Sequence, residues 1–178
     1  DMKINNVNLD KIAETKEKLQ QGIWPEHRIF EVSGEWLFDK VQFMGYVEYD
    51  NGSTFLISDQ IYAFGGNGNA PHPLQYVVFG IMACYSMVFM AKAAGKGIVI
   101  RSLKTRGYIK VNVKAALFGE DKPLVEKVEI VLEVDTDASP EELEEVKILA
   151  IKGCPSAYFV MNPIEFEPKV VKTESAIV

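Results

Sequence analysis

Between Asn8 and Gln20 the apolar residues Leu9, Ile12 and Leu19 recur among lysines and glutamates. That spacing predicts a short amphipathic helix, which Gly22 and Pro25 end. From Arg28 to Ser58 the pattern becomes alternation: Ile29, Val41, Phe43, Tyr46 and Phe55 fall in short runs separated by Ser33-Gly34, Phe38-Asp39 and Asp50-Asn51-Gly52. An antiparallel meander is expected there. Asn51-Gly52 is its sharpest hairpin signal, since both residues tolerate the positive φ that a tight turn uses.

The run Phe64-Gly65-Gly66-Asn67-Gly68-Asn69-Ala70-Pro71 is a loop by composition and leads into a helix starting near Pro73. It lacks the Gly-Lys-Ser/Thr ending of a phosphate loop and the glycine spacing of a dinucleotide fingerprint, so a turn or a close backbone approach is the reading. From Leu74 to Ala91 there is no charged residue. Such a stretch is long enough to span a membrane. Its place between strand-like segments, its Gln75, Gly80, Cys84 and Ser86, and the lack of a second span or basic flank favour the central helix of a soluble protein. Gly95-Lys96-Gly97 closes that helix, and strand-like alternation resumes over Ile98 to Lys114.

After a turn at Gly119 to Pro123, Val125 to Val134 alternates Val, Ile and Leu with Glu and Lys, as a half-buried strand does. Ser139-Pro140-Glu141-Glu142 opens a second amphipathic helix: Ser139 caps, Pro140 suits the first position and Glu142 completes a capping box. Leu143, Val146 and Ala150 form its apolar stripe, Gly153 stops it before Cys154-Pro155, and Ile164 to Val171 reads as a last edge strand containing Pro168. The order is α+β with antiparallel pairing. One domain covers a wholly apolar helix poorly, so a partner subunit is expected, most simply in a two-fold homodimer. Residues 1–25 read as a helical appendage and 26–178 as the domain proper.

Composition narrows the function. The formal charge is −6, and from Glu120 to Glu145 eleven acidic residues face only Lys122 and Lys127. With no basic cluster elsewhere, nucleic acid and anionic membranes are not expected partners. No basic n-region followed by an apolar stretch opens the chain, and a cytoplasmic location is expected. In a reducing compartment the two cysteines, Cys84 and Cys154, are redox-active or simply buried. A lone Cys in an apolar helix is more often packing than chemistry. Cys154 shifts that balance, because a short helix or turn after Pro155 would bring N–H groups to its sulfur. His27 and His72 lack metal-ligand spacing with the cysteines, so neither a metal nor another cofactor is expected.

These segments resemble the OsmC/Ohr family of osmotically inducible and organic hydroperoxide resistance proteins over roughly residues 29–171. The resemblance rests on Gly65-Gly66 leading to Ala70-Pro71-His72-Pro73, on Gly80-Ile81-Met82-Ala83-Cys84, on Ala94-Gly95-Lys96-Gly97-Ile98, and on Ser139-Pro140-Glu141-Glu142 running to Cys154-Pro155. It implies an OsmC-like fold, antiparallel sheets wrapped around long central helices in an intertwined homodimer. It also implies that Cys84 attacks a hydroperoxide and that Cys154 resolves the resulting sulfenic acid, with a dithiol such as a lipoyl group as reductant. Met82, Met87, Phe89 or Met90 would line the substrate pocket. Two positions depart from the family pattern. Leu74, in His72-Pro73-Leu74, stands where active members carry the Glu of Asn-Pro-Glu. Their thiolate-pairing Arg has only Arg28 as an upstream counterpart, at a longer spacing, and Arg28 is equally suited to pair with Glu26 or Glu31; Arg101 and Arg106 follow the helix. Two readings result: a thiol-dependent peroxidase, or a non-catalytic relative holding a small hydrophobic or acyl ligand in a cleft at the dimer interface.

Overall fold

The computed structural model describes residues 1–174. The chain opens with a hairpin that its sequence pattern did not announce, β1 (Lys3–Ile4) against β2 (Val7–Asn8). Asn5 and Asn6 make its turn at φ 55° and 59°, a left-handed region that asparagine enters more readily than most residues. The Asn5 side chain then anchors the hairpin: its Nδ2 donates to the Ile98 carbonyl (2.9 Å) and its Oδ1 accepts from the Ile100 N–H (2.8 Å). The expected amphipathic helix follows as α1 (Leu9–Gln20), capped by Asn8, whose side chain accepts from the Lys11 N–H.

The meander is present as β3 (Ser33–Trp36), β4 (Phe43–Tyr49) and β5 (Gly52–Ser58), antiparallel in that order. Its hairpin turn lies one residue earlier than expected. Tyr49 pairs with Gly52, leaving Asp50 and Asn51 as the loop, and neither Asn51 nor Gly52 uses a positive φ. On one face Tyr46 stands opposite Phe55, ring centroids 5.3 Å apart. β5 is exposed along its length up to Ser58. The sheet is tied to the rest of the chain at its base, where Ser58 Oγ donates to the Pro71 carbonyl (2.8 Å) and Tyr76 Oη to the Ile57 carbonyl (2.7 Å).

The glycine-rich loop closes on a carboxylate from its own chain. Asp59, 2% exposed, accepts the N–H groups of Gln60 (3.0 Å), Asn67 (3.3 Å) and Asn69 (3.1 Å). Gly65 and Gly68 make the necessary turns at φ 87° and 64°, and Gly66 passes so near Gln60 that a Cβ would sit 1.9 Å from its carbonyl oxygen. Backbone donors aimed at an anion are what a phosphate loop also offers. Here Asp59 already occupies them.

The uncharged run is α2 (Pro73–Gly95). His72 caps it, Nδ1 accepting from the Leu74 N–H (3.1 Å) while the Gln75 side chain accepts from the His72 N–H (2.8 Å). Gly97 turns the chain at φ 72°. β6 (Ile100–Val111) and β7 (Val125–Thr136) form a long antiparallel ribbon. Between them lies a short helix that periodicity did not signal, α3 (Val113–Phe118), capped by Asn112. α4 (Pro140–Gly153) begins with the expected capping box of Ser139 and Glu142, and α5 (Pro155–Met161) follows directly. The core lies between α2, α4 and the ribbon: Phe89, Ala93, Ile100, Val146 and Ala150, with Tyr85, Val88, Leu103, Leu132 and Leu143 packed around them. At Gly107 the ribbon comes so close to α2 that a Cβ would meet Val78 Cγ2 at 2.8 Å.

The expected edge strand over Ile164 to Val171 is not formed; these residues are exposed and belong to no helix or strand. Alternation alone cannot make a strand without a neighbour to bond, and Pro168 removes one donor. The surface area carries the same message at larger scale. A compact monomer of this mass would expose about 8,700 Å², whereas this chain exposes 13964 Å². The outer side of α2 is part of the excess, with Phe79 62% and Met87 69% exposed.

Replacing Asp59 by alanine leaves buried N–H groups without an acceptor, so Asp59→Ala is expected to cost about 3 kcal/mol. Urea unfolding monitored by circular dichroism measures it.

Candidate active site

Cys84 and Cys154 are seventy positions apart, and the fold brings them together, Sγ to Sγ at 3.7 Å. Cys84 lies midway along α2. Cys154 is where α4 ends and α5 begins: Pro155 cannot continue α4, having no N–H to donate, and its fixed φ suits the first turn of a new helix. Cys154 therefore takes an extended conformation (φ −100°, ψ 112°), and its sulfur caps α5 by accepting the Ala157 N–H at 3.5 Å. Because α4 and α5 both pack on α2, the sulfur held at their junction meets the one on α2.

The two thiols differ in environment. Cys154 is 2% exposed and Cys84 is partly exposed. Burial works to raise the Cys84 pKa, but the polar hydrogens of the nearby Ser156 and of the Cys154 thiol, which stands 3.7 Å away, work to lower it. Those donors outweigh burial and hold Cys84 below the ordinary thiol value. For Cys154, burial dominates and the neighbouring Cys84 charge adds to it, so its pKa is raised although the N–H groups of Ala157 and Ser156 pull the other way. Of the two, Cys84 is thus the thiol that ionises more readily, and Cys154 is placed to donate toward it. No lysine or arginine among the described residues contributes to the lowering at Cys84.

Arg28 does not join the pair within one chain. Its guanidinium lies over the rings of Trp24 (6.0 Å) and Phe30 (5.4 Å) rather than pairing with Glu26 or Glu31. Arg101 binds Asp135 and Asp137, and Arg106 binds Glu133, all on the ribbon or just beyond it. His72 is engaged as the α2 cap. A mostly apolar hollow of about 290 Å³ is lined by Tyr85 and Ala157, near neighbours in sequence of Cys84 and Cys154, with Ile81, Val128, Ile130 and the charged Lys147 among others; neither cysteine is in its wall. Met82, Met87 and Met90, which were expected at the pair, instead line a separate cavity of about 610 Å³ under the N-terminal hairpin, while Phe89 is in the core. Ser156 escaped the sequence reading, because its position after Cys154-Pro155 gains meaning only once α5 lies against α2.

A helix-borne cysteine met by a second one at a helix junction, within an α+β chain of antiparallel sheets, defines a class of two-cysteine proteins. The sequence matches a family described as OsmC-like protein over residues 66–169, and the chain belongs to that family. No curated protein matches the sequence. Among solved structures, an OsmC-like protein from Mycoplasma pneumoniae is similar with a TM-score of 0.59, at 15% identity over 75% of this chain and 88% of that one. An OsmC-like protein of unknown function from Vibrio cholerae is similar at 0.55, with 13% identity over 75% and 94%. An organic hydroperoxide resistance protein, OsmC, from Legionella pneumophila is similar at 0.53, with 17% identity over 75% and 91%. At these identities the likeness is one of fold.

A disulfide needs the sulfurs about 1.7 Å closer than they stand, a shift that side-chain rotation and slight movement of α5 can supply. Diamide is therefore expected to join Cys84 to Cys154 within one chain. Closing a loop of seventy residues stabilises the oxidised form by about 4 kcal/mol. Peptide mass mapping and the thermal unfolding of both forms check this.

Proposed function

We propose that this chain is a thiol-dependent peroxidase that reduces organic hydroperoxides, working as a homodimer in the reducing cytoplasm. The observation that carries the reading is the sulfur pair itself: two free thiols at 3.7 Å whose pKa values are pushed in opposite directions. The Cys84 thiolate attacks the terminal oxygen of ROOH. The O–O bond breaks, ROH leaves after taking up a proton, and Cys84 becomes a sulfenic acid. Cys154 then attacks that sulfur, the S–S bond forms and water departs. A dithiol, of lipoyl type in the first instance, returns both cysteines to thiols while becoming a disulfide itself.

The mostly apolar hollow lined by Tyr85 and Ala157 suits the organic part of such a substrate. The Legionella pneumophila relative described as an organic hydroperoxide resistance protein supports the same substrate class. Dimerisation would account for part of the surface excess: the roughly 5,000 Å² that each chain exposes beyond a compact monomer leaves ample area for an obligate interface, which buries about 2,000–5,000 Å² summed over both partners. In such a dimer the β3–β5 sheet and the bare side of α2 would find their cover in a second copy. Arg28, exposed beside Trp24 and Phe30, would act at a thiolate only if a second copy supplied it. Residues 1–25, ahead of the family match, serve as an appendage.

One observation favours the second reading, a relative that binds a small hydrophobic or acyl ligand. The cavity under the N-terminal hairpin is lined by Phe79 and three methionines, and Ser86, also in its wall, keeps a buried hydroxyl without a partner among the described residues. A ligand with one polar group would complete it.

With cumene hydroperoxide, the wild-type protein is expected to lose two hydrogens and consume peroxide. Cys154→Ser gains one oxygen and stops, and Cys84→Ser loses consumption by at least a hundredfold. The rate rises with pH as Cys84 ionises, reaching half its maximum below the ordinary thiol value of about 8.5. Intact-mass spectrometry and peroxide consumption measure these, and light scattering in solution gives the subunit number. An inert thiol pair, together with a bound lipid recovered by native mass spectrometry, would transfer the function to the second reading.

A further inference from the structure

Two hollows lie end to end beside α2, and their walls share residues. One is the hollow of about 290 Å³ that holds Ala157; the other, of about 480 Å³, continues past Phe89. Tyr85, Ile130 and Lys147 belong to both. The lining follows the periods of three elements. On α2 it consists of Ile81, Tyr85 and Phe89, four residues apart and so on one face. On β7 it takes alternate residues from Val128 to Val134, and on α4 it steps back from Ile151 through Lys147 to Leu143, again by fours. A set this regular describes one groove rather than two separate dents. The six steps along β7 give it a length of roughly 20 Å.

Tyr85 divides that groove. Its Oη donates to the Lys147 carbonyl on α4 (3.2 Å), and its ring lies 6.4 Å from that of Phe89. A side chain rooted on α2 and bonded to α4 crosses the groove from one helix to the other. The hollow on one side of this crossbar is the one nearer the sulfurs by sequence: Tyr85 follows Cys84, and the Ala157 N–H meets Cys154 Sγ. The charges of the lining cancel, because the Lys147 ammonium stands 3.4 Å from the Glu144 carboxylate. A neutral organic group therefore suits the groove better than a carboxylate does.

We propose that Tyr85 is a specificity-determining residue of this chain, a crossbar that confines the organic group of a hydroperoxide to the hollow of about 290 Å³ and selects compact, uncharged hydroperoxides over long-chain ones. The inference rests on the peroxidase reading for its substrate, but the crossbar itself can be tested with a thiol reagent that is not a peroxide. A compact group fits on one side of Tyr85 and leaves it in place. A long chain must push it aside, breaking the bond to Lys147 and the contact with Phe89, before it reaches the second hollow.

The test uses pairs of reagents that share a reacting group and differ in size, on the full-length reduced protein. kcat/KM is measured for cumene hydroperoxide and n-decyl hydroperoxide, and alkylation of Cys84 by N-ethylmaleimide and N-decylmaleimide is followed by peptide mass mapping. The wild type is expected to favour the compact member of each pair. Tyr85→Ala is expected to raise the rate with the long member roughly tenfold and to leave the compact member within about threefold. Tyr85→Phe keeps the ring and loses only its tether, and is expected to raise the long member by about threefold. A wild type that prefers the long members overturns the proposal. So does a preference unchanged in Tyr85→Ala, which marks a groove filled by a second copy or bypassed by the reagents. Equal changes for compact and long members overturn it too, since they mark a damaged site. Should Tyr85→Ala lack the circular dichroism of the folded chain, Tyr85→Phe decides alone, and a long-to-compact ratio equal to the wild type overturns the proposal. A protein that consumes neither hydroperoxide but shows the maleimide shift refutes the peroxidase reading and leaves the crossbar standing.

Discussion

The run from Leu74 to Ala91 contains no charge, and a helix built from it must find apolar cover on nearly every side. The chain supplies that cover on one side only. Phe89 and Ala93 are packed beneath Val146, Ala150 and the β6–β7 ribbon, while Phe79 and Met87 on the other side stay open to water. Each large apolar side chain left exposed forgoes roughly 1.5–3 kcal/mol, and the meander, exposed on β5 and tied down only at its base, adds more such surface. The chain by itself therefore leaves a large part of its apolar surface uncovered. The covered side of α2 is also the side on which Cys84 can meet another element, so the constraint that leaves the chain incomplete also locates its chemistry.

At the sulfur pair the electrostatics follow from neutral hydrogen bonds rather than from an opposing charge. A cation near a thiolate acts over several ångströms and weakens as salt is added when it is exposed. A hydroxyl and an N–H act only in contact and with the right direction. Their effect is therefore insensitive to ionic strength but sensitive to small displacements of α5. Cys154 and Pro155 form one short joint between α4 and α5, where the fixed φ of proline starts the helix whose Ala157 N–H meets the Cys154 sulfur.

Features governed by neighbours in the sequence were legible from it. Ser139 and Glu142 cap α4 as their spacing indicates, and Asn8 starts α1. Gly97 turns the chain after α2, as Gly95-Lys96-Gly97 suggested. Features that depend on distant partners were not. Ile164 to Val171 alternates like a strand, yet no neighbour bonds it. Asn51-Gly52 has the composition of a positive-φ turn, but the cross-strand register placed the loop on Asp50 and Asn51. Asn5-Asn6, which does use positive φ, lies between segments too short to show a period. Nothing local marks Asp59 as the centre of the glycine-rich loop. At the site, both cysteines could be picked out, but their separation, the donors on Ser156 and Ala157 and the aliphatic walls of the hollow all required α5 to be in place.

The amide of Asn5 also acts on the outer margin of the ribbon. It takes one carbonyl, at Ile98, and one N–H, at Ile100, and these are the groups through which a neighbouring strand would dock in register. A side chain thereby imitates one rung of a strand and uses up the first attachment point along that margin. Exposed strand margins invite unwanted pairing and aggregation. In a chain that leaves other apolar surfaces open, blocking this margin limits the ways in which two copies can aggregate.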